Sequence, residues 1–546
     1  MRRGILLAPL GVVAAIALPA VALAASAVDV QANQPQVAGD PSSNATARFP
    51  TNKQNEPTIA VNPTNPSLLV SGANDEQRQP PCGPGPVRGS VPANDCSFFP
   101  GVGTDGVYTS SDGGVSWTNR GLLPGFSDNG GNLQSDGDPR VVYGPRPDAS
   151  GSFASARAAD AFVNGVRAYY GGLAEFAPGS QQGRQAPELL TVSTSDNNGV
   201  SWSDPVIAAN GHGFLFNDKE DVWVDQNPSS PFFGLVYVSW TQFRGSAFTF
   251  FGEPVRVAFS DDGGKTWSKE RQLSAAQNIG HGGRQGSTVR TGPDGTVYVV
   301  WEDSDLNGFK QVVAVSHDGG VTFSRPIDIA RVHDIQDPIP GANFRDNSFP
   351  SLAVDQSTGA VFVAWADLRN GTGRIVVSKS SDHGSTWSTP AVVSPAADGY
   401  AFFQGLDVAP NGRVDVGYQA LKANATSPTA YGTGNATIDS FYVQSTNGGA
   451  TWSASTQVSS VSSDPAASAQ NNLARQFWGD YNTLASTSAN AFFIYTDSRN
   501  GAGCAAVDAF QHGVDGSGPV TSKPAPGNVC PAQFGNTDVF VSKIAP

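Results

Sequence analysis

The chain has 546 residues, with 33 Lys plus Arg against 47 Asp plus Glu and a formal charge of −14. Hydrophobic residues make up 39% and aromatics 10%, enough for a large core, so wholesale disorder is excluded. The acidic balance argues against nucleic acid and anionic membranes, which bind through basic residues, and the lack of any long 3.6-residue periodicity excludes a coiled coil or helical bundle.

Residues 1–27 read as a leader rather than a fold. Arg2 and Arg3 give a positive start, Ile5 to Val21 is almost wholly apolar, and Ala22 with Ala24, or Ala25 with Ala27, fits a secretory cleavage site. No later apolar run approaches the ~20 residues needed to span a bilayer. The mature chain is therefore expected to be secreted, extracellular and monomeric, with no membrane span after cleavage. Residues 28–54 form an N-terminal segment, and residues 55–546 are expected to make one domain. Within it, 62 Gly and 39 Pro punctuate Thr- and Val-rich runs, the pattern of many short strands joined by turns.

The four cysteines are Cys82, Cys96, Cys504 and Cys530. They lack Cys-x-x-Cys or His-x-x-x-His spacing, so no zinc site is expected. In an exported chain the simplest pairing is two local disulfides, Cys82–Cys96 and Cys504–Cys530, with three connectivities open from sequence.

One element recurs six times along the chain. It reads Ser110, Asp112, Gly114, Trp117, then Ser195, Asn197, Gly199, Trp202, then Ser260, Asp262, Gly264, Trp267. The remaining copies are Ser316, Asp318, Gly320, Phe323, then Ser380, Asp382, Gly384, Trp387, and Ser445, Asn447, Gly449, Trp452. Successive aromatics lie 85, 65, 56, 64 and 65 residues apart, a period that means a stacked or radial array of similar units. Physically the element is a hairpin turn: Asp or Asn caps it, Gly takes the positive φ, and the aromatic plugs back between layers. These copies resemble the Asp box of the sialidase-like β-propellers, also called BNR repeats, over nearly all of the mature chain.

Two further strands precede each box. The clearest unit runs from Pro350 to Asp355, Ala360 to Trp365, Arg374 to Ser380 and Ala391 to Ser394, four antiparallel strands that make one propeller blade. The second strand ends on an aromatic in several units (Trp240, Trp301, Trp365, Tyr418, Tyr495), read as wedges between blades. First strands near Pro57, Pro139, Asp221, Gly286, Pro350, Gly405 and Asn482 predict an all-β, seven-bladed propeller, with six blades as the alternative. The seventh unit lacks a fourth strand, so a segment such as Val28 to Val37 is expected to close the ring and remove the exposed edge.

Strand direction places the boxes on one face, where their aspartates are structural, and the starts of the first strands on the other. That loop face gathers Glu56, Asp138, Glu220, Gln285, Phe349, Gln404 and Tyr481, with Lys219, Arg284 and Asp480 one position earlier. The loops between second and third strands add Glu302, Asp303, Asp367, Arg369, Asp497 and Arg499, and the two cysteine loops and a long insert from Ala149 to Pro187 share the face. Carboxylates in a concave, partly dry site have pKa values pushed apart, as acid/base chemistry on a glycosidic bond requires.

The sialidase resemblance implies a Tyr nucleophile helped by Glu, an Asp acid/base and three Arg residues on the sugar carboxylate. Tyr481-Asn482-Thr483-Leu484 is similar to the family's Tyr-Ser-x-Leu run, which makes Tyr481, Glu220 and Asp138 the catalytic candidates. Asn55-Glu56-Pro57 stands where the family has its first Arg, so Glu56, Arg284, Arg345, Arg475 and Asp480 are the substrate-binding candidates in a rearranged clamp. Three functions stay open: a secreted sialidase-like glycoside hydrolase, a non-catalytic propeller binding carbohydrate or glycoprotein, and a carboxylate-pair hydrolase of neutral polysaccharide. No metal or other cofactor is assigned; Ca²⁺ is conceivable for Asp-rich turns, but no EF-hand loop spacing is present.

Overall fold

The computed structural model describes residues 25–33, 53–76, 104–126, 131–153, 161–176, 188–211, 215–246, 249–277, 281–423, 431–432, 436–470 and 473–546. Seven antiparallel sheets follow one another around a ring, each built from consecutive strands. Blades one to seven span residues 54–122, 133–209, 215–272, 281–332, 351–392, 400–457 and 483–545. The count is seven rather than six. Six sheets have four strands, and the third gains a fifth because Thr249–Gly252 pairs with the second strand of that blade.

The ring closes through the N-terminal strand Ser26–Gln31, which is the outer strand of blade seven. It pairs antiparallel with Asp538–Ala545, from Ser26 opposite Ala545 to Gln31 opposite Phe540. The segment starts earlier than Val28, because its register is set by a partner strand at the other end of the chain. Ser26 and Ala27, read from sequence as the end of the leader, thus make the first two pairs. Residues 1–24 lie outside the described residues.

The blade wedges sit where the sequence puts them: Trp240, Trp301, Trp365, Tyr418 and Tyr495 are fully buried. Each box holds its turn through the same Ser bonds and an amide bond to its Asp or Asn. In the third copy the Ser260 hydroxyl donates to Asp262 at 2.8 Å and accepts the Gly264 amide at 2.9 Å, while Asp262 accepts the amides of Lys265 and Thr266.

The stretch from Ala149 to Pro187 is not one insert. Val166–Phe176 within it is the second strand of blade two, paired with both Leu133–Pro145 and Leu189–Ser195. Gly171 and Gly172 disguise it, and close packing explains the first: a Cβ at Gly171 would meet the Val222 side chain at 2.3 Å. Two helices not legible as such, Ala505–Val514 and Pro526–Val529, lie between the second and third strands of blade seven, tied by the Cys504–Cys530 disulfide. Cys82 and Cys96 lie outside the described residues. Among the described residues no helix is long and apolar enough to cross a membrane.

Candidate functional site

The first strands of five blades carry a bulge at the same level. Register shifts occur between Asn55 and Thr58, Gly137 and Arg140, Asp218 and Asp221, Gln285 and Thr288, and Phe402 and Gly405. In each, one residue adopts a positive φ: Glu56 at 54°, Asp138 at 55°, Lys219 at 56°, Gly286 at 65° and Phe403 at 46°. A non-glycine residue there costs about 1–2 kcal/mol, and bulges re-aim side chains that a regular strand would send to alternate faces. Three of the strained residues are polar and meet at the hub. Strain of this kind, repeated around a ring, points to a site.

The Lys219 ammonium bridges the carboxylates of Asp138, at 3.1 Å, and Asp480. Arg345 grips Asp480 with two hydrogen bonds of 2.6 Å, from Nε and Nη2, and lies 3.9 Å from Glu56. Asn74 completes the layer, donating to Glu56 at 2.8 Å and accepting the Asp138 amide at 2.8 Å. Blades one, two, three and seven and the segment before blade five are thereby tied together by one ionic network.

Burial and neighbouring charge split the carboxyl groups. Burial alone would raise Asp480, but Arg345 and Lys219 outweigh it and hold the group well below the usual carboxylate range. Asp138 is likewise lowered, its burial outweighed by Lys219. Glu56 and Glu220 go the other way, raised well above the ordinary value by burial and by the Asp138 charge. Asp218 is pushed up to about 7 by burial, Lys219 opposing and Asp138 and Asp480 adding to the shift.

Above this layer, on the loop face, opens a cavity of about 490 Å³. Its floor is Lys219, Asp480 and Arg345, its polar walls include Asp218, Gln285, Glu302, Asp346 and Asn347, and Phe243, Phe309 and Phe349 give it aromatic surface. Burial also raises Glu302 and Asp346 well above the carboxylate range. Polar groups converging in a concave cleft with aromatic surface make it a candidate ligand site. Behind the floor lies a chamber of about 70 Å³ lined by Lys219, Glu220, Asp480, Tyr481 and Arg140.

The predicted hub residues divide accordingly. Glu56, Asp138, Glu220, Asp480, Tyr481 and Arg345 do converge. Tyr481 donates its hydroxyl to the Pro139 carbonyl at 3.2 Å, and the Arg140 guanidinium stacks 4.1 Å above its ring. Burial and the charges of Asp138 and Glu56 push the phenol well above its usual pKa. Arg284 does not join them; it is buried beside Asp303 at 3.3 Å, between blades three and four. Arg475 is paired with Asp337. Asp367–Arg369 and Asp497–Arg499 are turn ion pairs at 2.7 and 2.6 Å. Asp218, Asp346 and Arg140 were not singled out from sequence; the first precedes Lys219 directly, and the bulge that turns it to the cavity has no signature in one sequence. Carboxylate oxygens of Asp136, Glu175 and Glu188 approach within 4.8 Å of one another on blade two, the described residues best spaced for a cation.

Residues 173–399, from blade two to the end of blade five, match the BNR repeat-like domain. Over 241 residues the chain is 27% identical to a sialidase of Micromonospora viridifaciens, a stretch covering 43% of this chain and 34% of that protein. The chain thus spans about a third of the length of that relative. Among solved structures, the Hadza microbial sialidase Hz136 is 17% identical with a TM-score of 0.39, covering 74% of this chain and 72% of that one. The GH93 α-L-arabinofuranosidase of Fusarium graminearum is 13% identical with a TM-score of 0.40, covering 95% and 98%.

Proposed function

We propose that this sialidase-like BNR-repeat propeller hydrolyses glycosidic bonds in a neutral glycan, bound at the loop face of its hub. One observation carries the reading. The same cavity holds a carboxylate kept ionised, Asp480, and a carboxyl with a pKa of about 7, Asp218. Asp218 is then the proton donor to the leaving oxygen, matched to neutral pH. As the glycosidic bond breaks, water adds to the anomeric carbon and its proton returns to Asp218, while Asp480, held by Arg345 and Lys219, fixes the floor of the cavity. Phe243, Phe309 and Phe349 offer apolar faces to sugar rings.

A neutral substrate follows from the cations. Arg345 is engaged with Asp480, Arg284 with Asp303 and Arg475 with Asp337, so none of the three offers an open bidentate clamp to a sugar carboxylate. Asp138, Glu220 and Tyr481 line no part of the larger cavity and act from behind its floor, holding Lys219 and Asp480 in place.

The test is a panel of fluorogenic neutral glycosides and aryl sialosides. Neutral substrates are expected to turn over, with kcat/KM falling as pH rises through about 7, because Asp218 must carry its proton. Asp218→Asn should cost at least ~10²-fold and abolish that alkaline limb. Wild-type protein inert on every glycoside overturns the proposal, and retained binding on a glycan array would then make the chain a non-catalytic glycan-binding propeller.

A sialidase-type mechanism is the second reading, favoured by Tyr481 and Glu220 sharing one chamber. It requires Tyr481→Phe to abolish turnover of an aryl sialoside. The neutral-glycan reading expects that variant to keep most of its activity, since a phenol with a raised pKa and a carbonyl partner is a poor nucleophile.

A further inference from the structure

We infer, resting on the glycan reading above, that Glu302 and Gln285 determine specificity in the loop-face cavity, by holding two adjacent hydroxyls of the bound sugar. The substrate class narrows to neutral sugars with a free vicinal diol. Most polar side chains of that cavity are already engaged within the protein. Lys219, Arg345 and Asp480 are locked in the floor network, and Asp337 is paired with Arg475. Asp346 accepts the Asn347 amide at 2.8 Å, Asn347 the Phe349 amide at 3.2 Å, and Asp218 the Lys219 amide at 2.7 Å. Gln285 and Glu302 remain. Both line the cavity, and among the described residues neither side chain makes a hydrogen bond or an ion pair. Glu302 is only 8% exposed; its Oε2 is sealed inside the wall, which leaves Oε1 for the cavity. A buried carboxyl that no protein group meets is costly, and a hydroxyl that meets it offsets that cost.

The fold sets the two side by side. Gln285 and Glu302 lie opposite each other in the ladder between His281–Thr291 and Val297–Asp305, the first two strands of blade four. Directly paired residues have Cβ atoms about 5 Å apart, so the two head groups can reach neighbouring hydroxyls of one ring. The bulge of this strand begins at Gln285, and Gly286 within it has φ 65°. A Cβ at Gly286 would meet the Phe349 ring at 2.4 Å, so the glycine lets that ring lie against the strand beside the pair. On its other side Glu302 is opposite Gln311, which is fully buried and donates to the Ser348 carbonyl at 2.7 Å. That bond ties the wall to the segment carrying Asn347 and Phe349. Burial holds the Glu302 carboxyl well above the carboxylate range, so it is neutral and both donates and accepts, as the Gln285 amide does. Such a pair matches hydroxyls, which also do both, and offers no countercharge to a sugar carboxylate.

The probe is the neutral aryl glycoside that the wild-type protein hydrolyses fastest, compared with its monodeoxy analogues, one ring hydroxyl removed in each. Loss of either of two adjacent hydroxyls is expected to cost at least about tenfold in kcat/KM, the size of one hydrogen bond to a buried group. Glu302→Met should lose about tenfold on the parent glycoside and abolish the penalty at one of the two positions, and Gln285→Met should do so at its neighbour. Glu302→Gln, which keeps a donor and an acceptor in place, should restore the discrimination that Glu302→Met loses. A merely structural role would lower activity equally on the parent and every analogue. Equal losses of that kind, or discrimination left intact in both Met variants, overturns the inference while the hydrolase reading stands. If no glycoside turns over, that reading fails, and the comparison is made by calorimetric titration of a sugar retained on a glycan array and its deoxy analogues. Deoxy penalties that survive both Met substitutions, or no retained sugar at all, then overturn the inference. Should Glu302→Met fail to fold, Gln285→Met, at a half-buried position, still decides it.

Discussion

Asp262 in the third box accepts four hydrogen bonds, from the Ser260 hydroxyl, the amides of Lys265 and Thr266, and the Thr266 hydroxyl. The second and sixth boxes show what Asn does instead: Asn197 keeps the amide contact to Ser201 and turns its NH₂ to the Ser201 hydroxyl, and Asn447 does the same with Thr451. Asp262→Asn should therefore fall within about 0.5 kcal/mol of wild type, whereas Asp262→Ala should cost about 1–3 kcal/mol by urea denaturation, with glycoside kinetics untouched in both. The box was legible because its whole chemistry is local, eight residues closing on themselves. Lys219 and Asp218 were not equally legible. Their roles depend on a positive φ and on Asp138 and Asp480, residues 81 and 261 positions away from Lys219. One sequence records neither a backbone angle nor a distant partner.

The strand Ser26–Gln31 is held by more than its ladder. Asp29 accepts the Ser460 amide at 2.9 Å and meets Arg499 at 2.7 Å, and Arg499 also binds Asp497 and lies 3.9 Å over the Phe540 ring. Arg499 and Asp29 are both buried, so Arg499→Ala leaves two carboxylates uncompensated at the seam of the ring. It should destabilise by about 3–5 kcal/mol and make the N-terminal strand the first site cut in limited proteolysis. The need for a closing strand could be read from the three-stranded seventh unit, since an open edge is untenable. Its bounds could not, because a residue shift in either direction leaves the same short, mixed pattern, and only the pairing with Asp538–Ala545 fixes it. Blade two was misread for a related reason, its second strand broken in appearance by two glycines, the first of which close packing against Val222 demands.

Across the whole molecule, buried acids dominate the response to pH. Glu56, Glu220, Glu302 and Asp346 are raised well above their ordinary values, and Glu76, Asp218, Asp225 and Asp407 to about 7, chiefly by burial. The folded state therefore binds more protons than the unfolded chain above pH 4.5, and the stability these groups contribute is lost as pH rises through their folded values. Asp138, Asp221 and Asp480 act oppositely, but only below the ordinary carboxylate range. The melting temperature should accordingly be higher at pH 5 than at pH 8 at equal ionic strength, by scanning calorimetry; a higher value at pH 8 would mean these acids are ionised in the fold. The gathering of acids at the hub was visible from aligned strand starts. Which arginine would reach them was not: Arg345 does so from an irregular segment, while Arg284 sits on a first strand and turns toward Asp303.

The latch of the ring joins its first described strand to its last. A chain emerging from the ribosome presents Ser26–Gln31 about 500 residues before its mate Asp538–Ala545. Six blades can assemble in the interval, yet the circle stays open throughout. Final locking is thus deferred until Asp538–Ala545 has been made and has met Ser26–Gln31.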